Sequence, residues 1–245
     1  MQAGDSEFPL QEITALVFDV FGTLVDWRTS IARETQLVLS PLGIALDWLA
    51  FADAWQRHYQ PALEEVRSGR MPYTKLDRLH RRNLDLVISE FSIDRVDDAA
   101  RRRLNLAWRC LDAWPDAAAG LAALRPDYLL APCSNGSIAQ MVALARRNGF
   151  VWDAILGAGT ARDYKPKAGV YLNAASALGL EPGQLMMVAA HSADLSAAAA
   201  AGLRTAFLAR QDEFGRGRGE LQAALPVDIS VSSLPDLALA LARRR

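Results

Sequence analysis

The sequence is poor in the features that would place it in a special class. It carries two cysteines in 245 residues, Cys110 and Cys133. They form neither a CxxC pair nor a zinc spacing, so no disulfide framework or structural metal organises the fold. Both are read as reduced thiols of a cytoplasmic protein, Cys133 as a small core residue. No stretch approaches the roughly 20 unbroken apolar residues of a membrane span, so no membrane partner is expected. The opening segment, MQAGDSEFPLQE, is polar and acidic, unlike a signal peptide. The formal net charge is only -1, which gives no signature of a polyanion-binding surface, and no nucleic-acid partner is expected. The run GRGRG at 215–219 reads as a mobile loop and lacks the interleaved aromatics of a nucleic-acid platform.

What the chain does have is apolar mass: 51% of its residues are hydrophobic, ample for a sizeable core. Its length predicts one large domain or a core with an insert. Strand signals fall at 14–21, 127–134, 154–158, 184–190, 204–210 and 228–233, each short, nearly continuous in apolar residues and bounded by turn residues. That pattern suits strands buried on both faces of a parallel sheet. Helical stretches lie between the later strands: PDAAAGLAALR, SIAQMVALARRNG, KAGVYLNAASALGL and SADLSAAAAAG. The alternation predicts a doubly wound α/β core. The first two strands are separated by the stretch from Arg28 to Trp114, which reads as helices only. It is expected to form a second, smaller domain over the carboxyl edge of the sheet. The expected division is a core of 12–28 and 114–245 and a helical block of 29–113.

In open α/β sheets, ligands bind outside the carboxyl ends of the strands. The segment LVFDVFGTLV delivers Asp19 to such an end, and Thr23 follows a Gly turn from which its hydroxyl can reach back to that carboxylate. The second strand ends in Ser134-Asn135-Gly136, the third is followed by Lys165-Pro166, and the fourth runs into His191 and Asp194. Each residue alone has a plainer reading: Ser134 as a helix N-cap, Lys165 as a surface amine, Asp194 as a first-turn acid, His191 as core filler. Their joint arrival at successive strand ends predicts a site.

The four segments DVFGT, CSNGS, YKPKAGVY and HSADLSAAAAAGL, in this order and spacing, resemble the motifs of the haloacid dehalogenase superfamily, with the helical block where that family carries its cap. The resemblance runs from about Thr14 to Leu241. It implies a Rossmann-like core and covalent chemistry in which Asp19 attacks the substrate to form an aspartyl ester. Most members are magnesium-dependent phosphatases, whose pattern has a second Asp two residues after the nucleophile and an acidic pair at the fourth motif. Here those positions hold Phe21 and Ala190. Asp19 and Asp194 alone make a poor cage for an ion that wants near-octahedral oxygen ligation, so neither a metal nor any other cofactor is expected.

A halide leaves as an anion and needs no proton. Displacement at an sp³ carbon asks for a bare carboxylate, a dry pocket and donors for the departing halide. The sequence is therefore most similar to the 2-haloacid dehalogenases of the superfamily, and His191 is similar to their subgroup acting on short haloacetates. By that resemblance Lys165 orients Asp19, Ser134 holds the substrate carboxylate, Asn135 faces the halide, Phe21 keeps the pocket dry, Tyr171 supports the lysine or substrate, and Asp194 positions water. The family's cap carries a Trp-Arg pair; here it reads Trp55-Gln56, with Arg57 one place later and so turned by about 100°. Ala193 stands where the family has Trp, and Ala189 where a Ser is common. The expected activity is metal-independent hydrolysis of short 2-haloacids to 2-hydroxy acids. The alternatives are a phosphatase with a degenerate site and a dehalogenase-shaped protein that binds a small carboxylate. The expected partners are the small haloacid and water, and a homodimer is possible through the amphipathic cap.

Overall fold

The computed structural model describes residues 12–243, so the polar segment at 1–11 lies outside the described residues. Strand β1 (Ala15–Phe18) opens the core. It is followed by β2 (Val25–Asp26), α1 (Trp27–Leu39), α2 (Trp48–Arg57), α3 (Tyr59–Arg67), α4 (Leu76–Glu90), α5 (Asp98–Asn105) and β3 (Asp112–Ala113). Then come α6 (Ala117–Leu124), β4 (Leu129–Ser134), α7 (Ile138–Asn148), β5 (Leu156–Gly157), α8 (Ala158–Ala161) and α9 (Ala168–Leu178). The chain closes with β6 (Leu185–Ala189), α10 (Ser192–Ala200), β7 (Arg204–Leu208), β8 (Ile229–Val231) and α11 (Leu234–Ala242). No helix among the described residues is long and apolar enough to cross a membrane.

The six-stranded sheet has the order β5-β4-β1-β6-β7-β8, and every pairing in it is parallel. Strand residues alternate between two cores, as a period of two demands. In β1, Leu16 and Phe18 join one apolar cluster while Ala15 and Val17 join the other; Met186 and Val188 of β6 are separated from Leu185 and Met187 in the same way. Helices α9 and α10 cover one face through Val170, Ala174, Leu195 and Ala198. On the other face, α6 and α11 bury Leu121, Leu234 and Leu237 in the cluster that also takes in the inserted helices. From β1 the chain moves outward to β4 and β5, then returns to β6 on the other side of β1 and continues to β8. The winding therefore reverses between β1 and β6, and the crevice at their carboxyl ends is where such a sheet binds ligands.

The six strand signals and the four interstrand helices of the sequence coincide with elements of the fold, trimmed by a few residues at their ends. The inserted stretch departs from the helices-only expectation in one respect. Val25 and Asp26 pair antiparallel with Ala113 and Asp112, so a short two-stranded clasp ties the start of the insert to its end. Within the insert the segment 48–69, whose apolar residues recur at helical spacing throughout, is divided at His58 into α2 and α3. Pro61 is the cause: it has no N–H for the Arg57 carbonyl, and its ring crowds the preceding turn. The hydrogen-bond ladder resumes with Ala62 N–H donating to the His58 carbonyl.

The loop after β7 is anchored through Arg210. Its guanidinium, 8% exposed, makes two hydrogen bonds to Asp116 at 2.7 and 3.1 Å and donates through Nε to the Thr23 carbonyl at 2.8 Å. Asp116 also accepts from the Leu234 N–H. The GRGRG run is turned back on itself, with Gly219 N–H donating to the Gln211 carbonyl and Gly217 N–H to Asp212. Removing one partner of a buried ion pair strands the other charge, at a cost of about 3–5 kcal/mol. Asp116→Ala is therefore expected to lower the unfolding free energy read from urea titration by that amount, through a lower midpoint at an unchanged m value, while Asp212→Ala, on the exposed turn, stays within about 0.5 kcal/mol of the parent.

Candidate active site

Asp19 sits one residue beyond β1, 6% exposed. Its N–H donates to the Val188 carbonyl of β6, which fixes the backbone at the crevice. Each carboxylate oxygen has its own donors. Lys165 Nζ donates to Oδ1 at 2.9 Å, and the Thr23 hydroxyl donates to Oδ2 at 2.7 Å. Thr23 is committed to that direction because its own oxygen accepts the Ala190 N–H at 3.0 Å. His191 Nδ1 lies 3.2 Å from Oδ2. Burial alone would raise the Asp19 pKa, but Lys165 and His191 outweigh it and hold the carboxyl well below the usual carboxylate range.

Lys165 is the junction of the cluster. Its ammonium also donates directly to Asp194 Oδ2 in a short contact, and the side chains of Lys165, Asp19 and Asp194 are each under 10% exposed. Burial pulls its pKa down, yet Asp19 and Asp194 more than reverse this, and it stays well above the ordinary lysine value. Asp194 is held by α10 in the first turn, and the Tyr171 hydroxyl of α9 donates to its Oδ1 at 2.5 Å. Asp19, Thr23, Lys165, Tyr171, His191 and Asp194 are thus brought into one connected network from β1, β6 and the helices beside them.

The remaining candidates lie around this network in different ways. Ser134 is fully buried and its hydroxyl accepts the Gly136 N–H. It is not the cap of α7, a role taken by Ser137 in a capping box with Gln140. Asn135 is a bracket between segments: its Oδ1 accepts the Lys165 N–H at 2.8 Å, and its Nδ2 donates to the Tyr59 hydroxyl of α3 at 3.0 Å. Phe21 packs edge-on against Trp108 at 5.8 Å, and Trp108 in turn stacks on His80 at 4.0 Å and meets Trp55 at 5.6 Å. Burial pushes the His80 pKa down to about 3, so this wall of the cluster is uncharged. Burial likewise pushes the Cys133 thiol up to about 12, which suits the small core residue expected of it.

Arg57 is not brought to the network. Its side chain is 65% exposed and pairs with Glu90 at 2.7 Å. The 100° turn from the position of Gln56 has carried it to the outer face of α2. Gln56 is half-buried and is not among the partners of Asp19 or Lys165 described above. The cation that the helical block does bring close is Arg67 of α3, 12% exposed, whose Nη1 donates to the Lys165 carbonyl at 2.8 Å.

Sequence reasoning missed Arg67, Tyr59, Trp108 and Glu213. The last is the most consequential. Glu213, 3% exposed, sits in the loop after β7. It accepts from the Trp27 indole N–H at 3.1 Å, and its carboxylate lies 2.9 Å from His191 Nε2. One signal of it existed in DVFGT: Gly22 has φ +82°, and a Cβ there would lie 2.1 Å from Glu213 Oε1.

The comparisons with known proteins identify the family. The model of the haloacid dehalogenase-like hydrolases matches residues 13–202. The chain belongs to that family. It is 43% identical to an L-2-haloacid dehalogenase of known crystal structure, covering 94% of this chain and 99% of that one, with a TM-score of 0.90. A defluorinating L-2-haloacid dehalogenase is 41% identical over 94% of this chain and 95% of its own, with a TM-score of 0.91. The (S)-2-haloacid dehalogenase 4A of Burkholderia cepacia is 28% identical over 93% of this chain and 94% of its length. Both structural relatives span the core and the inserted helices of this family member.

Gly22→Ala should report on the packing of Glu213. A left-handed conformation costs a residue with a Cβ about 1–2 kcal/mol, and here the clash with the carboxylate adds to it. Gly43 has a similar φ of +74°, with nothing within 4 Å of the place a Cβ would take. In thermal unfolding, Gly22→Ala is expected to lose at least about 1 kcal/mol more than Gly43→Ala; equal losses would show that Glu213 does not occupy that space.

Proposed function

We propose that this protein hydrolyses short 2-haloacids, of haloacetate or 2-halopropionate type, to 2-hydroxy acids through an ester on Asp19. One observation carries the reading. The nucleophile's carboxylate is kept anionic by a buried lysine, and the side chain two residues on is Phe21, packed into an aromatic wall, rather than an acid. Such a site can attack carbon but has no acid at the position of Phe21 to protonate the group that leaves in this first step, and the leaving group that needs no proton is a halide. A phosphatase would have to offset phosphate charge with a metal, and Lys165 already spans Asp19 and Asp194.

The hydrogen bonds favour different parts for the two oxygens. Oδ2 is engaged by Thr23 and His191, whereas Oδ1 has Lys165 alone. Oδ1 attacks the halogen-bearing carbon, the carbon–halogen bond breaks, and its electron pair departs with the halide. Water then adds to Asp19 Cγ and gives its proton to Asp194. As the Cγ–Oδ1 bond breaks, the hydroxy acid's oxygen takes a proton from Lys165, and Asp194 returns one to the lysine. The contacts of Lys165 with both carboxylates support this relay. Water's second proton, left on the new Asp19 carboxyl, goes to solvent as the acid the net reaction forms, and the carboxylate is restored. The helical block acts as a cap in this reading, with Asn135–Tyr59 and Arg67–Lys165 joining it to the core.

Halide release from fluoroacetate, chloroacetate and the 2-chloropropionate enantiomers, with chelator present throughout, tests the proposal. The wild type is expected to release halide and Asp19→Asn none. A single turnover in ¹⁸O water should place the label in Asp19 and not in the product. Release that depends strictly on magnesium, or label passing straight to product, would overturn the reading.

Substrate anions need a donor in a dry site, and a charge-assisted hydrogen bond is worth roughly 1.5–3 kcal/mol. Arg67, which also pairs with Glu64 at 2.9 Å, is proposed for this duty in place of Arg57 because it reaches the Lys165 carbonyl beside the network. Arg67→Ala is expected to lower kcat/KM by about tenfold or more, and Arg57→Ala, which breaks an exposed ion pair, by less than about twofold. The opposite ranking would return the role to Arg57.

A further inference from the structure

The chain of contacts that begins at Asp19 Oδ2 does not end at His191. It continues through Nε2 to Glu213, and from there to the Trp27 indole. We propose that Glu213 is a positioning residue for the second half of the reaction, holding His191 as a donor at both ring nitrogens so that Nδ1–H and the Thr23 hydroxyl form the oxyanion hole for Asp19 Oδ2. The inference rests on the ester mechanism proposed above and concerns the hydrolysis of that ester.

The geometry sets the roles. If Oδ1 carries the substrate, Oδ2 is the carbonyl oxygen of the ester. Attack of water at Cγ moves the carbonyl electron pair onto Oδ2, and collapse of that intermediate returns the pair as the Cγ–Oδ1 bond breaks. Two donors already point at Oδ2, Thr23 at 2.7 Å and His191 at 3.2 Å. The Thr23 donor cannot turn away, because Ala190 N–H occupies its acceptor side. The His191 donor exists only while Nδ1 bears a proton.

Charge decides whether it does. In the free enzyme two carboxylates face the ring, Asp19 from β1 and Glu213 from the loop after β7, while Lys165 and Asp194 stand behind Asp19. Together Asp19 and Glu213 overcome the effect of burial and raise the His191 pKa well above its ordinary value. Alkylation removes the Asp19 charge. From then until the ester is cleaved, Glu213 is the one carboxylate left against the imidazole. It therefore matters in the step in which Oδ2 becomes negative, and little in the step before it. The chain has made room for it: the position a Gly22 Cβ would fill holds the Glu213 carboxylate, and Arg210 fastens the start of its loop to Asp116 and the Thr23 carbonyl.

Glu213→Gln retains an acceptor for Nε2–H but no charge. Rapid-quench kinetics on the intact protein, with chloroacetate or whichever haloacid of the panel the wild type turns over, separates the steps. The expected result is a first-turnover halide burst within about threefold of wild type and a kcat lowered by about ten- to a hundredfold, the scale of a lost oxyanion donor. Mass spectrometry of the quenched protein should show the ester accumulating on Asp19. Because the protonated ring is the active form, lowering the pH should restore hydrolysis in the variant, and the alkaline fall in its rate should lie at lower pH than in wild type. Ester hydrolysis at the wild-type rate, or a burst lost in proportion to kcat without ester accumulating, would overturn the proposal. If Glu213→Gln does not fold, His191→Gln decides: accumulated ester supports the inference, and unimpaired hydrolysis overturns it. A wild type that releases no halide from any haloacid instead defeats the dehalogenase reading, and shows as an absent burst before any variant is made.

Discussion

The site depends on one buried ammonium. Lys165 places its charge between Asp19 and Asp194, all three side chains under 10% exposed. Taking three charges out of water costs several kcal/mol per ion after relaxation, and the attraction repays it only when the remaining lone pairs are satisfied. That condition accounts for the neighbours. Thr23 and His191 complete Asp19, Tyr171 completes Asp194, and Asn135 takes the Lys165 backbone N–H. Each is needed so that the others can be buried, which is why the polar residues of the crevice form one network rather than a set of pairs. The same desolvation leaves the Asp19 carboxylate with few competitors in water.

The fold determines which groups can join that network. Reversal of the winding between β1 and β6 brings the Asp19 and His191 segments side by side. The alternation of β1 sends Leu16 and Phe18 to one core and Ala15 and Val17 to the other, so the strand itself has no polar side chain to offer and the chemistry begins one residue past its end. An aromatic at Phe21 then connects the crevice to Trp108 and, through it, to the inserted helices. The position that would carry an acid in a proton-transferring relative carries part of the packing here.

Residues delivered by strand ends were legible in the sequence, because a strand end is marked by a run of apolar residues and a turn, and because β/α alternation says which ends share an edge. Asp19, Thr23, Lys165, His191 and Asp194 were found in this way, and the strands to within a few residues. What lay beyond reach was whatever the helices and long loops contribute. Trp27 and Glu213 are 186 residues apart in the chain, and no periodicity links them. Arg67 and Tyr59 sit on α3, whose direction depends on the break at His58; Pro61 causes that break, but nothing in the sequence gives the angle at which the helix resumes. Arg57 shows the converse. Adjacency to the family's Trp-Arg position suggested it, and helix geometry put it on the solvent side.

The helical block is coupled to the chemistry through main-chain atoms as well as side chains. Arg67 holds the Lys165 carbonyl, and Tyr59 holds the Asn135 amide that in turn receives the Lys165 N–H. Both peptide groups of the residue that bridges the two carboxylates are thus fixed, one directly and one through Asn135, by α3. A displacement of α3 would break these bonds and loosen the lysine's backbone before it disturbed Asp19, whose own N–H is held by β6. The Asp19 carboxylate is therefore set by the sheet and its counter-charge by the inserted helices. An assembly divided in this way is complete only when the two parts are together.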